Sequence, residues 1–333
     1  MEAVDIEPQS VLVTGGHGLL GAWLTAALVD HGHRVVAIRR DEPAVSTLAL
    51  LGRADQVDTV HGDICEEGLV ARALNEYEVS SVFHLAAQTL VGTANHSPRP
   101  TFETNIRGTW MLLEACRAHG TRSVIVASSD KAYGRQTELP YRETQALSPT
   151  FPYDVSKAAA DLIARSYWHT FGLPVAVTRF ANLYGGGDTN RSRLVPEAVG
   201  AALAGRAPVI RSDGSPERDF LYVEDAVGAY LAIWGALLGG RGGGEAFNAG
   251  GGRSHRVADV VDLICRLAAG DGGAVAPEIR GAGTPHGEID RQWVDAGKLG
   301  ELTGWAPAVE LEEGLRRTIA WYREHPRALS ALL

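Results

Sequence analysis

Short apolar runs alternate with longer amphipathic stretches through the first half of the chain. The short runs are apolar at nearly every position, which is typical of strands buried on both faces of a parallel sheet. The stretches between them repeat apolar residues at helical spacing. We therefore predict strands at residues 10–14, 34–38, 57–60, 81–85, 123–127 and 175–178, and helices at residues 19–30, 66–77, 99–119 and 153–171.

This alternation predicts an α/β fold, a doubly wound parallel sheet of the Rossmann type. Beyond roughly residue 182 the rhythm loosens, with a helix at 195–204, short strands near Val209 and Phe220, and an amphipathic closing helix at 305–322. We predict a smaller interleaved C-terminal substrate lobe there. The predicted Rossmann domain is residues 1–181, with 223–250 returning to it, and the predicted lobe is residues 182–222 and 251–333.

A glycine-rich turn joins the first predicted strand to the first predicted helix, with glycines at Gly15, Gly18 and Gly21. At this spacing Gly15 allows a sharp turn, Gly18 allows close approach of a pyrophosphate, and Gly21 allows the helix to pack on the strand. The helix N-terminus then offers free N–H groups to the phosphates. The turn therefore predicts a dinucleotide site.

The second predicted strand leads into Arg39 and Arg40, where an NAD enzyme usually places an acid for the ribose hydroxyls. Two arginines favour a 2′-phosphate, so we predict NADP. NAD is the alternative, because Asp41 follows directly and can reach the ribose. Asp63, at the end of the third strand, is predicted to accept a hydrogen bond from the adenine amino group, and the alternative is a solvated aspartate in a turn.

Tyr153 and Lys157 open a predicted helix at a four-residue spacing, which places both side chains on one face. Loss of hydride from an alcohol requires a base for the hydroxyl proton. We expect the ammonium and a cationic nicotinamide to lower the pKa of Tyr153 toward neutrality, and Lys157 to hold the nicotinamide ribose. Ser129 ends the preceding strand and completes the predicted catalytic group.

The glycine turn, Ser129 and the Tyr153/Lys157 pair together resemble the extended short-chain dehydrogenase/reductase superfamily, over essentially the whole chain. Supporting motifs at residues 85–88, 179–185 and 218–220 match its nucleotide-sugar epimerases and dehydratases. The resemblance implies hydride transfer from sugar C4 to a tightly held NAD(P). It implies a dinucleotide site formed by Gly15, Gly18, Leu19, Leu20, Arg39, Arg40, Asp63, Ile64, Leu85, Ala86, Ala87, Tyr153 and Lys157.

Asp130 and Lys131 directly follow Ser129, and this pair is similar to that of CDP-glucose 4,6-dehydratases and a group of UDP-amino-sugar dehydratases. The resemblance implies that Asp130 protonates the departing C6 hydroxyl and that Lys131, in its uncharged form, removes the C5 proton. We therefore predict an NDP-hexose 4,6-dehydratase. The structural alternative is that Asp130 and Lys131 form a loop ion pair of little effect. The functional alternatives are a 4-epimerase, which needs no elimination, and a non-catalytic NADP(H)-binding sensor.

A nucleotide diphosphate requires cationic or N–H donors, and Arg218 is the strongest candidate because a guanidinium matches a phosphate well. It lies in the motif where the resembled enzymes hold the β-phosphate. Val195 and Ile210 are predicted to flank the nucleotide base. The full predicted substrate site is Gln88, Asn182, Arg193, Val195, Ile210, Arg218, Arg253 and Arg291.

The net charge of −9 over 333 residues argues against nucleic acid or a membrane as the main partner, because both favour a basic face. The three cysteines form neither a disulfide framework nor a metal-ligand pair, so no metal is predicted. The acidic start lacks a basic segment followed by a long apolar run, which predicts a cytoplasmic protein. The helices at 99–119 and 153–171 predict a homodimer through a four-helix bundle, unless they pack only on the sheet.

Overall fold

The computed structural model describes residues 6–270, 273–283 and 288–333. Seven parallel strands form the main sheet in the order β10-β6-β5-β4-β1-β2-β3. The strands are β1 (Ser10–Thr14), β2 (Arg34–Arg39), β3 (Val57–His61), β4 (Ser81–His84), β5 (Ser123–Ala127), β6 (Val175–Phe180), β7 (Asn182–Tyr184), β8 (Val209–Ile210), β9 (Glu217–Tyr222), β10 (Ala246–Ala249), β11 (Ser254–Arg256), β12 (Glu278–Ile279) and β13 (Arg291–Gln292).

Helices cover both faces of the main sheet, so the predicted doubly wound α/β fold is confirmed. One face carries α1, α9 and α11 over a core around Leu24 and Trp234, and the other carries α3, α6 and α7 over a core around Leu112. The helices are α1 (Leu19–Asp30), α2 (Thr47–Leu50), α3 (Leu69–Glu76), α4 (Val91–His96), α5 (Pro98–Phe102), α6 (Gly108–His119), α7 (Pro152–Phe171), α8 (Leu194–Leu203), α9 (Val223–Leu238), α10 (Val257–Ala269), α11 (Gly297–Thr303), α12 (Leu311–Glu324) and α13 (Pro326–Leu332).

The sheet order reverses between β1 and β4, and ligands of such sheets bind outside the carboxyl ends of the strands at this point. The glycine turn follows β1, and residues 85–88 follow β4. Ser129 follows β5, the next strand along. The fold therefore brings the predicted cofactor and catalytic segments to one edge of the sheet.

A smaller sheet lies beyond the main one, with the order β11-β9-β13 and β7 paired to β9. Helices α8, α10, α12 and α13 pack around it over a core that includes Val199, Ile264 and Leu315. Helix α9 and strand β10 return to the main sheet. Helix α11 lies in a segment predicted for the smaller lobe, yet it packs on α9 and β10. The division into two domains stays a prediction.

Two predicted helices differ from the structure because tertiary contacts override the local pattern. The helix predicted at 99–119 is interrupted by a π-helical turn at Glu103–Arg107, where the Asn105 side chain bonds Gln88 and Ser156. The closing helix begins at Leu311, not at residue 305, because Trp305 is buried and donates its indole N–H to the Asp225 carbonyl.

Among the residues that the structure describes, no helix combines the length and the apolar character needed to span a membrane. The same residues contain no group of three or more His, Cys, Asp or Glu arranged to hold a metal ion. Cys65, Cys116 and Cys265 are all free thiols.

Candidate active site

The glycine turn after β1 has the geometry of a pyrophosphate cradle. Gly15 has φ +73°, and a Cβ there would lie 2.7 Å from the Ala86 nitrogen. A Cβ on Gly21 would lie 2.1 Å from the Gly15 oxygen, so helix and turn approach closely only with glycine. Helix α1 begins at Leu19 after a glycine cap, which leaves its first N–H groups free of side-chain caps. These residues fit the phosphates of a dinucleotide.

Basic side chains cluster where the adenosine ribose would lie. Arg39 pairs with Glu42 at 2.7 Å, and Arg40 pairs with Asp41 at 2.7 Å and with Asp63 at 3.6 Å. Arg40 and Asp63 therefore neutralise each other in part. Within the described chain, Arg39 Nε and both ring nitrogens of His17 are buried without a hydrogen-bond partner. Unpartnered buried donors of this kind fit a ligand rather than a finished protein surface.

The remaining predicted cofactor residues flank this edge. The Leu85 N–H donates to the Thr14 carbonyl at 3.1 Å, and the Ala86 N–H donates to the Thr14 hydroxyl at 3.2 Å, which fixes the turn after β4. Ile64 is buried against Gly108, where a Cβ would lie 2.5 Å from its Cδ1. Leu19 is buried, whereas Leu20 and Ala87 are partly exposed at the same edge.

Tyr153, Lys157 and Ser129 converge at the carboxyl end of β5. Helix α7 begins at Pro152, and Lys157 donates to the Ala127 carbonyl at 2.8 Å. Burial lowers the pKa of Lys157 to about 8. The Ser129 hydroxyl caps the short 3₁₀ turn at Asp130–Tyr133 by accepting the Lys131 N–H at 3.2 Å. The three residues predicted to oxidise C4 are thus brought together.

The pKa of Tyr153 is not lowered in the chain alone. Burial, together with the nearby Asp130 and Asp154 carboxyls, raises this pKa to about 12. The lowering of the pKa beside a cationic nicotinamide stays a prediction. The Arg193 charge and the Ser129 hydroxyl oppose this shift but do not outweigh burial. An oxidised nicotinamide would add a positive charge that the chain does not itself supply.

Asp130 and Lys131 lie beside this group without pairing to each other. No ion pair within 4.0 Å joins them in the part of the chain that the structure describes, so the alternative of a loop ion pair is wrong. Asp130 is 3% exposed, burial raises its pKa, and its Oδ2 has no hydrogen-bond partner there. The Ser129 hydroxyl donates to Asp130 Oδ1 at 3.0 Å. Asp130 thus presents one free carboxyl oxygen, and burial makes this carboxyl easier to protonate than an exposed aspartate.

Two of the predicted substrate residues, Arg218 and Arg193, carry donors near the catalytic group. Arg218 is 7% exposed and pairs with Glu288 at 2.7 Å. Arg193 donates to Asp188 at 2.9 Å and influences the pKa of Tyr153, which places it near the reacting hydroxyl. Asn182 donates its amide to the Asp219 carbonyl at 3.0 Å and so joins β7 to β9.

The other predicted substrate residues serve the protein in different ways. Arg253 is exposed and pairs with Glu310, and Arg291 pairs with Glu217 on the strand face opposite Arg218. These two arginines are not brought to the site. Gln88 is occupied structurally, because its side chain donates to the Leu90 carbonyl and the Thr101 hydroxyl. Val195 and Ile210 are buried in the core of the smaller lobe.

Three acidic or amide residues near the site were not predicted from the sequence. Gln292 accepts a hydrogen bond from the Lys131 amine at 3.4 Å. Asp154 follows Tyr153 and is 3% exposed, and burial raises its pKa to about 6. Glu288 holds Arg218. Only Asp154, adjacent to a motif residue, carried a local signal.

Comparison with known proteins agrees with this geometry. The family model described as GDP-mannose 4,6 dehydratase matches residues 12–318. The chain belongs to this family. It is 35% identical to the dTDP-glucose 4,6-dehydratase of Xanthomonas campestris pv. campestris (strain B100) over 329 residues, covering 93% of this chain and 92% of that protein.

Two solved structures of similar fold bear on the chemistry of this family. A dTDP-glucose 4,6-dehydratase from Streptomyces venezuelae, with NAD and TYD bound, superposes with a TM-score of 0.84 at 30% identity, covering 95% of this chain and 97% of that chain. The UDP-glucose 4-epimerase of Thermotoga maritima, with UDP-glucose, superposes with a TM-score of 0.85 at 29% identity, covering 95% and 99%. The prediction of an NAD(P)-dependent NDP-hexose 4,6-dehydratase is confirmed at the level of enzyme class.

Proposed function

We propose that the chain oxidises C4 of a nucleotide-linked hexose, eliminates water across C5 and C6, and returns hydride to C6 to give a 4-keto-6-deoxy sugar nucleotide. The observation that carries this proposal is the position of Asp130 and Lys131, which follow Ser129 and leave each other unpaired. A 4-epimerase requires no acid and base at this place.

Oxidation at C4 uses the residues of the main sheet. A bound NAD(P) supplies the hydride acceptor and a positive charge beside the tyrosine. Tyr153 accepts the C4 hydroxyl proton as hydride leaves, and Ser129 orients that hydroxyl. Lys157, anchored to the Ala127 carbonyl, would hold the nicotinamide ribose and stabilise the tyrosinate.

Elimination uses the two residues after Ser129. The uncharged Lys131 amine takes the C5 proton, which the C4 ketone has made acidic. The C5 electron pair forms the C5–C6 double bond as the C6 hydroxyl departs with a proton from Asp130. Burial raises the pKa of Asp130, which favours the protonated carboxyl that the leaving group needs. The hydride taken from C4 would then be returned to C6, and the protonated Lys131 would give a proton back to C5.

The diphosphate is proposed to bind Arg218, with Arg193 and Asn182 beside it. Arg218 is nearly buried on β9, and its fork suits two phosphate oxygens. Glu288 forms an ion pair with the Arg218 guanidinium in this structure, so the substrate would have to displace Glu288. The similarity to a protein named dTDP-glucose 4,6-dehydratase supports a nucleoside diphosphate as the group that Arg218 binds.

We propose NADP as the preferred cofactor, with NAD accepted. The support is the unpartnered Arg39 Nε and His17 ring at the ribose edge, where a 2′-phosphate would find donors. Titration of the purified protein with NADPH and NADH, followed by fluorescence, tests this preference directly. Tighter binding of NADH would reject it.

We also propose a cytoplasmic homodimer. Large apolar side chains remain exposed on α6 and α7, namely Trp110 at 43%, Leu162 at 57% and Phe171 at 55%. Pairing these two helices with their copies would bury this surface in a four-helix bundle. The free cysteines suit a reducing compartment. Light scattering after gel filtration measures the oligomeric state, and a monomer would contradict the dimer.

The test of function is incubation with each NDP-hexose in deuterated water. We expect deuterium at C5 and loss of the C6 hydroxyl for one substrate class. A C4 epimer without exchange would favour the epimerase, and no conversion of any substrate would favour a sensor. The Lys131→Met variant should stop water loss and leave C4 oxidation measurable as reduced nicotinamide. Unchanged turnover of this variant would remove Lys131 from the mechanism.

A further inference from the structure

Gln292 is a completely buried amide on β13 whose carboxamide oxygen accepts a hydrogen bond from the Lys131 amine at 3.4 Å. The two residues are 161 positions apart, so the contact is made by the fold and not by local sequence. We infer that Gln292 is a positioning residue that aims the Lys131 amine at sugar C5 without adding negative charge beside it. The inference rests on the proposed dehydration.

The pairing of two short strands determines where Gln292 points. Strand β13 pairs in parallel with β9, and Gln292 lies opposite Arg218. Side chains at opposed positions share a face, whereas the neighbouring Arg291 faces the other way and pairs with Glu217. Gln292 therefore lies on the same face of this sheet as the guanidinium proposed to hold the diphosphate.

The charges around Lys131 explain why an amide suits this position. A lysine removes a proton only when its amine is uncharged, and a nearby carboxylate favours the ammonium form. Lys131 acts electrostatically on the Asp130 and Asp154 carboxyls, as do Arg218 on Asp130 and Glu288 on Asp154, and burial raises the pKa of both carboxyls. A third carboxylate at Gln292 would oppose this arrangement, while the amide oxygen still fixes the amine in space.

The consequence is specific to one half of the reaction. C4 oxidation uses Ser129, Tyr153 and Lys157, none of which has a hydrogen bond to Gln292 among the described contacts. Proton removal at C5 uses Lys131, whose amine donates a hydrogen bond to Gln292. Loss of the Gln292 oxygen should therefore slow elimination and leave oxidation in place. A residue that only supports the fold would affect both halves together.

Two isosteric replacements separate these roles. Gln292→Met removes the acceptor and keeps the volume, and we expect C5 deuterium incorporation to fall about 100-fold, because a displaced reacting group costs roughly this much. Reduced nicotinamide should form at a rate within about threefold of the parent. Gln292→Glu keeps the acceptor and adds charge, so the acidic limb of the pH profile for C5 exchange should move up by about one pH unit. Gln56→Met, at an exposed glutamine before β3, is the matched control.

The outcomes distinguish the inference from the function on which it rests. If the parent enzyme exchanges no C5 hydrogen with any NDP-hexose, the proposed dehydration fails first. If the parent exchanges and Gln292→Met slows oxidation and exchange equally, Gln292 is structural and the inference is overturned. If Gln292→Met does not fold, Gln292→Glu decides the matter, and an unmoved pH profile in that variant overturns the inference. Slow exchange with intact oxidation supports it.

Discussion

Replacing Asp161 with Asn would remove one partner of an ion pair that has almost no contact with solvent. Asp161 on α7 and Arg179 on β6 are 0% and 1% exposed, and they form two hydrogen bonds of 2.7 and 2.9 Å. Arg179 also donates to the Tyr133 hydroxyl at 3.0 Å, at the end of the turn that carries Asp130 and Lys131. The pair therefore supports both the main sheet and the 3₁₀ turn at Asp130–Tyr133.

The expected cost follows from the charge left behind. With Asn at position 161, the Arg179 guanidinium stays buried without a counter-ion, and we expect a loss of about 3–5 kcal/mol in the free energy of unfolding. Asp58→Asn is the matched control, because Asp58 pairs with Arg34 at 2.8 Å on the surface. Surface pairs contribute about 1 kcal/mol at most. The double variant Asp161→Leu with Arg179→Met should recover most of the loss.

Urea unfolding followed by far-ultraviolet circular dichroism measures these differences, provided that the slope with urea is unchanged. A loss of less than about 1 kcal/mol for Asp161→Asn would refute the reasoning, because it would mean that water reaches the guanidinium. A double variant as unstable as the single one would locate the cost in packing and not in charge.

Three further predictions concern charge. Burial raises the pKa of Asp154 to about 6, so the folded chain holds a proton that the unfolded chain releases above about pH 4, and stability falls as pH rises through this window. Asp154→Asn should reduce this pH-dependent loss in the free energy of unfolding by about 3 kcal/mol. Urea titrations in which the parent and the variant lose stability equally with rising pH would contradict this. Arg39→Met should weaken NADPH binding at least about tenfold more than NADH binding in fluorescence titrations, and equal losses would contradict a 2′-phosphate contact. Glu288→Gln should tighten binding of a nucleoside diphosphate by up to about fivefold in calorimetry, because Arg218 loses a competing partner, and weaker binding would contradict that competition.

Most of the fold follows from local sequence because its signals are contiguous. Strands β1 and β5 and helix α1 have the predicted bounds, since each is a continuous apolar or amphipathic segment ended by glycine, aspartate or a polar turn. The π-helical turn at Glu103–Arg107 was not predictable in this way. It depends on Asn105 bonding Gln88 and Ser156, which lie 17 and 51 residues away.

In the candidate site, too, the local sequence predicts which residues group together but not the properties that depend on distant contacts. Ser129, Asp130 and Lys131 are consecutive, and Tyr153 and Lys157 lie one helical turn apart, so their grouping is visible in the sequence. The direction of the Tyr153 pKa was not visible, because it depends on burial by distant segments. Arg291 illustrates the reverse case. Its charge predicts a phosphate contact, but the register of β13 places it beside Glu217 in this structure.

The two halves of the proposed reaction depend on different parts of the fold. Oxidation at C4 needs residues that follow β5 or begin α7, all attached to the main sheet. In the proposed elimination, Gln292 also aims the Lys131 amine and Arg218 holds the diphosphate. Gln292 and Arg218 lie opposite each other on β13 and β9. The placement of C5 against its base thus depends on how the smaller sheet packs on the main one. Substitutions that loosen this packing should impair water loss before they impair oxidation, because only water loss requires both parts in register.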